Sequence, residues 1–70
     1  MELEHTARTE RVLLTTTEAA ARLSIGRSKL YELVGAGKIT TVRIGRAVRV
    51  PASEVERYAA ELLADAREAA

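Results

Sequence analysis

Seventy residues, 47% of them hydrophobic but thirteen of those alanine, make one small domain whose thin core leaves no room for a buried substrate or cofactor. The absence of cysteine excludes disulfides, zinc fingers and thiol catalysis, and a lone histidine (His5) removes the usual general base and metal cluster. The net charge of +1 conceals a cationic segment: residues 27–50 carry six basic side chains and one acidic, a net +5, against −1 before it and −3 after it.

Residues 1–12 open with a polar stretch lacking any apolar period, and a flexible tail is expected there. Leu13 and Leu14 begin the ordered part. Thr15-Thr16-Thr17-Glu18 has capping-box spacing, in which the threonine hydroxyl takes an orphan amide and the glutamate reaches back. Leu14 before the cap and Ala19 after it stand at staple positions. A helix is expected over about residues 16–22, with Ala19, Ala20 and Leu23 on one face. Ser24-Ile25-Gly26 breaks it, and Gly26 can cap a second helix from Arg27 to Val34 whose stripe is Leu30, Leu33 and Val34. Gly35-Ala36-Gly37 supplies a left-handed C-cap. Two short helices joined by a three-residue turn have helix-turn-helix spacing.

From Ile39 to Val50 the period falls to two, as in two half-buried strands. Parity of the apolar residues pairs Ile44 with Val48 and Val42 with Val50, which requires a three-residue loop, Gly45-Arg46-Ala47. That register sets Arg43 directly opposite Arg49, with Arg46 at the tip. Like charges so opposed destabilise a hairpin, and the pattern asks for an outside anion. Pro51 ends the hairpin and starts a last helix. Glu54 and Glu56 lie near its positive end, and Val55, Tyr58, Ala59 and Leu62 form its stripe. Residues 64–70 continue as an acidic, alanine-rich helical tail. No apolar run reaches the length of a membrane span and no signal-peptide core follows Met1, so a cytoplasmic binding module is expected.

Gly35-Ala36-Gly37-Lys38 lacks the first glycine and the Ser or Thr of a phosphate loop, and reads as a helix cap with a surface lysine. Carboxylates beside arginines, such as Glu61 with Arg57, read as a solvated helix face. The threonines at 15–17 have no base to activate them, so catalysis, metal and cofactor are not expected. Arg27, Ser28 and Lys29 fill the first turn of the second helix, where helix-turn-helix proteins meet base edges in the major groove. Arginine can bind guanine bidentately, serine is permissive, and lysine takes guanine or phosphate. The helix start itself favours phosphate. Tyr31 lies off the apolar stripe, and two readings stay open: a hydroxyl for a phosphate, or a boundary of the core. Tyr58 falls on a stripe and is expected to pack inward.

Taken together, Leu14-Thr15, Glu18-Ala19-Ala20, Leu23, Arg27-Ser28-Lys29-Leu30-Tyr31, Gly37-Lys38-Ile39, Val42-Arg43-Ile44-Gly45-Arg46 and Val48-Arg49-Val50-Pro51 resemble the excisionase-type DNA-binding domains, small MerR-like winged-helix proteins of phages and integrative elements. The resemblance covers about residues 13–62. It departs at Gly26, where the family often has a serine or threonine cap, a difference of a few tenths of a kcal/mol. The resemblance implies an α+β winged helix-turn-helix (residues 13–63) with its second helix in the major groove of double-stranded DNA and its hairpin wing in the adjacent minor groove. Carried over by position, Arg27, Ser28, Lys29 and Tyr31 match the recognition helix, and Arg43, Gly45, Arg46 and Arg49 match the wing, with Lys38 as a further phosphate contact. The family further implies a non-enzymatic recombination directionality factor that binds repeated sites near an attachment site, bends DNA and steers a partner integrase toward excision. Head-to-tail association of copies on DNA is consistent with that role. The same domain also occurs in small MerR/AlpA-like transcriptional regulators, which is the alternative reading; a protein-interaction module without DNA binding is the remote one. Only twelve residues follow Tyr58, so a coiled-coil small-molecule sensor is not expected. The acidic end, with Leu62 and Leu63, reads either as a contact for integrase or a neighbouring copy, or as a solvated helix end.

Overall fold

Three strands and three helices follow in the order β1 (Leu13–Leu14), α1 (Thr16–Arg22), α2 (Arg27–Gly35), β2 (Val42–Ile44), β3 (Ala47–Pro51) and α3 (Ala52–Ala69). The computed structural model describes residues 11–69, so the expected N-terminal tail lies, but for Arg11 and Val12, outside the described residues. The strands form one antiparallel sheet in the order β1-β3-β2. This small α+β arrangement is compatible with a winged helix-turn-helix.

Helix α1 forms where the capping box sits. The Thr15 hydroxyl accepts from the Glu18 amide at 3.0 Å, and the Thr15 amide donates to Glu18 Oε1 at 2.9 Å. The staple pair Leu14 and Ala19 is buried. The helix ends in a Schellman motif: the Ile25 amide donates to the Ala20 carbonyl and the Ser24 amide to that of Ala21, each at 3.0 Å. Its left-handed residue is Ser24, at φ 58°, not a glycine. Ile25 then packs against the core, which holds the turn in place. Helix α2 ends the same way at Gly37 (φ 78°), with Lys38 donating to Leu33 and Gly37 to Val34. The helix therefore runs through Gly35, one residue beyond the expected end.

The wing exists where expected, but its register does not hold. The pairs are Val42 with Arg49, Arg43 with Val48 and Ile44 with Ala47, joined by a two-residue Gly45-Arg46 turn. Gly45 takes φ 61°, as the first central residue of a two-residue hairpin turn that follows strand twist does. The three-residue loop and the Arg43–Arg49 opposition are both corrected by this pairing. The expected register holds only if all four apolar residues share one face. They do not, because β2 is exposed along its whole length and has no core to face. Opposed residues share a side, so Arg43, Val48 and Val50 lie on one face and Val42, Ile44, Ala47 and Arg49 on the other.

The core comprises Leu14, Ala19, Ala20, Leu30, Ile39, Val50 and Val55, to which every element except β2 contributes. Leu30, Ile39 and Val50 are its largest fully buried side chains. Strand β1, a two-residue element unread in the sequence, pairs Leu14 with Val50 and Leu13 with Pro51. Pro51 closes β3 rather than opening the helix, and lies beyond the last β2 pair, where its missing amide breaks no bond to β2. The Ala52 amide donates to the Val12 carbonyl at 2.8 Å. In α3 the expected stripe runs out early: Val55 is buried and Tyr58 packs on the core, but Ala59 and Leu62 are exposed.

A serine held at φ 58° carries a steric cost that glycine does not, partly offset by glycine's greater freedom when unfolded. Ser24→Gly is expected to stabilise the domain by about 0.5 kcal/mol, raising the thermal midpoint by roughly 2–4 °C. A lowered midpoint in calorimetry would contradict this account of the turn.

Candidate nucleic-acid interface

Helix α2 starts at Gly26 with no side chain capping it, so its first amides remain open to an incoming acceptor. Arg27 follows. Its guanidinium lies 5.9 Å from the centre of the Tyr31 ring, and Nη2 donates to the Tyr31 hydroxyl at 3.4 Å. That hydroxyl also lies 3.3 Å from Thr16 Oγ1 at the start of α1. Hydrogen bonds with Thr16 and then Arg27 hold the phenol below the usual tyrosine range. Tyr31 is half exposed, ties the two helices together and rests against Arg27. Ser28 and Lys29 are exposed, and Lys29 pairs with Glu32 at 3.5 Å. An exposed pair of that kind is weak and exchanges readily for another anion.

In the wing, Arg46 stands at the turn, with Arg43 and Arg49 on opposite faces of the ribbon. Arg49 donates from Nη1 to the Val48 carbonyl at 2.9 Å. Its field reaches Glu18, whose carboxyl is held below its usual range first by the Thr15 amide and then by Arg11, with Arg49 adding less. Among the described residues no carboxylate oxygen lies within 4 Å of the charged ends of Arg27, Lys38, Arg43, Arg46 or Arg49. The sequence has no Asp or Glu at all between Glu32 and Glu54. Among the described residues, five of the six cations of the segment thus have no carboxylate partner, and Lys29 alone is paired.

Residues 13–62 match a family model described as a helix-turn-helix domain. Over 54 residues the chain is 54% identical to a probable excisionase of Saccharopolyspora erythraea, covering 77% of this chain and 55% of that relative. It is 39% identical over 54 residues to an excisionase of Streptomyces ambofaciens, covering 77% of this chain and 87% of that one. The chain belongs to the excisionase-type helix-turn-helix family. It spans about half the length of the first of these relatives. No solved structure matches it significantly.

The excisionase-type domain keeps its wing in place with a device that sequence reasoning missed. Glu54 Oε1 accepts from the Thr40 amide at 2.8 Å, and Arg57 Nη2 donates to the Lys38 carbonyl at 2.6 Å. The two side chains also bind each other, with Arg57 Nε 3.0 Å from Glu54 Oε2, and Arg57 reaches Glu61 at 3.1 Å. The segment leading into β2 is thereby clamped to the first turns of α3. The expected Arg57–Glu61 pair is present, but the face is structural as well as solvated. The only prior signal was the three-residue spacing of Glu54 and Arg57. Among the described residues no helix is long and apolar enough to cross a membrane.

Arg57, and then the Thr40 amide, hold the Glu54 carboxyl down to about 2. A carboxyl depressed in the folded state contributes stability above its ordinary value of 4.5, and that contribution fades as pH falls toward 2. Thermal midpoints of the wild type and Glu54→Gln are therefore expected to differ most near neutral pH and to converge between about pH 5 and 2. Curves that stay parallel across that window would remove the clamp's electrostatic part.

Proposed function

We propose that this chain is a non-enzymatic architectural protein that grips double-stranded DNA with the start of α2 and with the wing, and steers a partner integrase toward excision. The observation that carries the reading is the cationic segment, +5 over residues 27–50, with five of its six cations lacking a carboxylate partner among the described residues, on a helix-turn-helix frame. The names of the two relatives support the recombination role.

In this reading α2 enters the major groove. Arg27 reads a base edge, steadied by Tyr31, with Lys29 beside it released from Glu32, while Ser28 permits close approach. Arg46 leads the wing into the neighbouring groove, and Gly45 allows the tight turn that places it. Arg43 and Arg49, on opposite faces, meet the two phosphate walls rather than one. Lys38 adds a contact at the wing root. Copies bind side by side on repeats near an attachment site, in contact head to tail, and bend the DNA between them. The protein works in the cytoplasm on the nucleoid and takes no cofactor or small-molecule substrate.

Five or six phosphate contacts predict a slope of about −5 for log K against log salt on a duplex from the attachment region. Arg46→Ala should flatten that slope by about 1 and weaken all sequences alike. Arg27→Ala should cost about 1–3 kcal/mol on the specific site and less on random duplex. A wild-type slope shallower than about −2, or equal losses for Arg27→Ala on both duplexes, would contradict these roles. Excision from hybrid-end sites by the cognate integrase, with and without the chain, tests the recombination role. Promoter repression with no effect on excision would favour a transcriptional regulator.

A further inference from the structure

The face of the wing turned away from Val50 is apolar where a solvated hairpin would be polar. Ile44 is 60% exposed, Val42 is 37% exposed beside it on the same face, and Ala47 stands across from Ile44. A surface β-strand gains strand propensity from β-branched residues, and Thr would serve that purpose without exposing a butyl group to water. Neither valine nor isoleucine here packs against the core. The ridge is framed by cations: Arg46 follows one residue after the turn glycine, and Arg49 is the direct partner of Val42. No carboxylate occurs in the segment to attract a basic partner.

An apolar strip bordered by guanidinium groups complements a surface with apolar walls and anionic rims. A DNA groove is such a surface, since the C–H edges of its deoxyriboses line the interior and its phosphates border them. We infer that Ile44 packs on the deoxyribose wall of the groove the wing enters, making an apolar contact that carries no charge and releases no counterions. The inference rests on the DNA-binding reading above and deepens it. Arginines anchor the ribbon at the rims, while Ile44 contributes a part of the affinity that salt does not weaken.

The test is a salt titration of binding to an attachment-region duplex by the full chain and three variants. Ile44→Ala should bind about five- to twenty-fold more weakly at every salt concentration, leaving the slope of log K against log salt unchanged. Ile44→Val should recover most of the affinity. Ile44→Thr, which keeps β-branching and so the strand, should behave like Ile44→Ala if contact with an apolar wall is what matters. Thermal midpoints should stay close to the wild type, because the side chain lies outside the core. Wild-type affinity for Ile44→Ala overturns the inference while leaving the DNA reading intact. A loss accompanied by a flatter slope also overturns it, because the phosphate contacts themselves would then have moved. No salt-dependent binding by the unmodified chain would remove the DNA reading, and this inference with it.

Discussion

Burial of Val50 in the middle strand is the constraint from which the geometry of the wing follows. Val50 lies within the core with Leu14, Leu30, Ile39 and Val55, and its strand bonds β1 on one edge and β2 on the other. Once Val50 points inward, alternation sends Arg49 to the opposite face, and the two-residue turn assigns Val42 as its partner. A slip of one residue would move each wing arginine to the other side of the ribbon and bring Val50 out to water. One buried valine and one turn thus decide which way every cation of the wing points.

Local interactions were legible in the sequence, and long-range ones were not. The start of α1 was readable because Thr15 and Glu18 satisfy each other within four residues, and the end of α2 because Gly37 takes a conformation that suits glycine. The left-handed residue at the end of α1 was not, because Ser24 occupies a place where glycine is the usual signal. The two-residue strand β1 has too few residues to show alternation, and its partner lies more than thirty-five residues away. The wing register failed for a more specific reason. Apolar parity assigns a register only to a strand that has a core to face, and β2 has none.

The candidate interface divides in the same way. Its residues were visible as a run of cations bracketed by acidic flanks. What holds them was invisible. Tyr31 reaches Thr16 across fifteen residues while resting on Arg27, and Glu54 with Arg57 clamps the segment before β2 across fourteen to nineteen. Such contacts join residues that only the folded chain brings together. They also explain how a ribbon that contributes nothing to the core from β2 keeps a defined position: its root is fastened by charged side chains at the start of α3.

The account stands on the start of α2 and the wing acting together on one polyanion. Its most direct test follows backbone amide and arginine side-chain resonances during titration with a short DNA duplex at low salt. Shifts concentrated at residues 26–31 and 43–49, with those of the exposed end of α3 unmoved, are the predicted result. Shifts centred on α3, or wing arginines that do not respond, would contradict it.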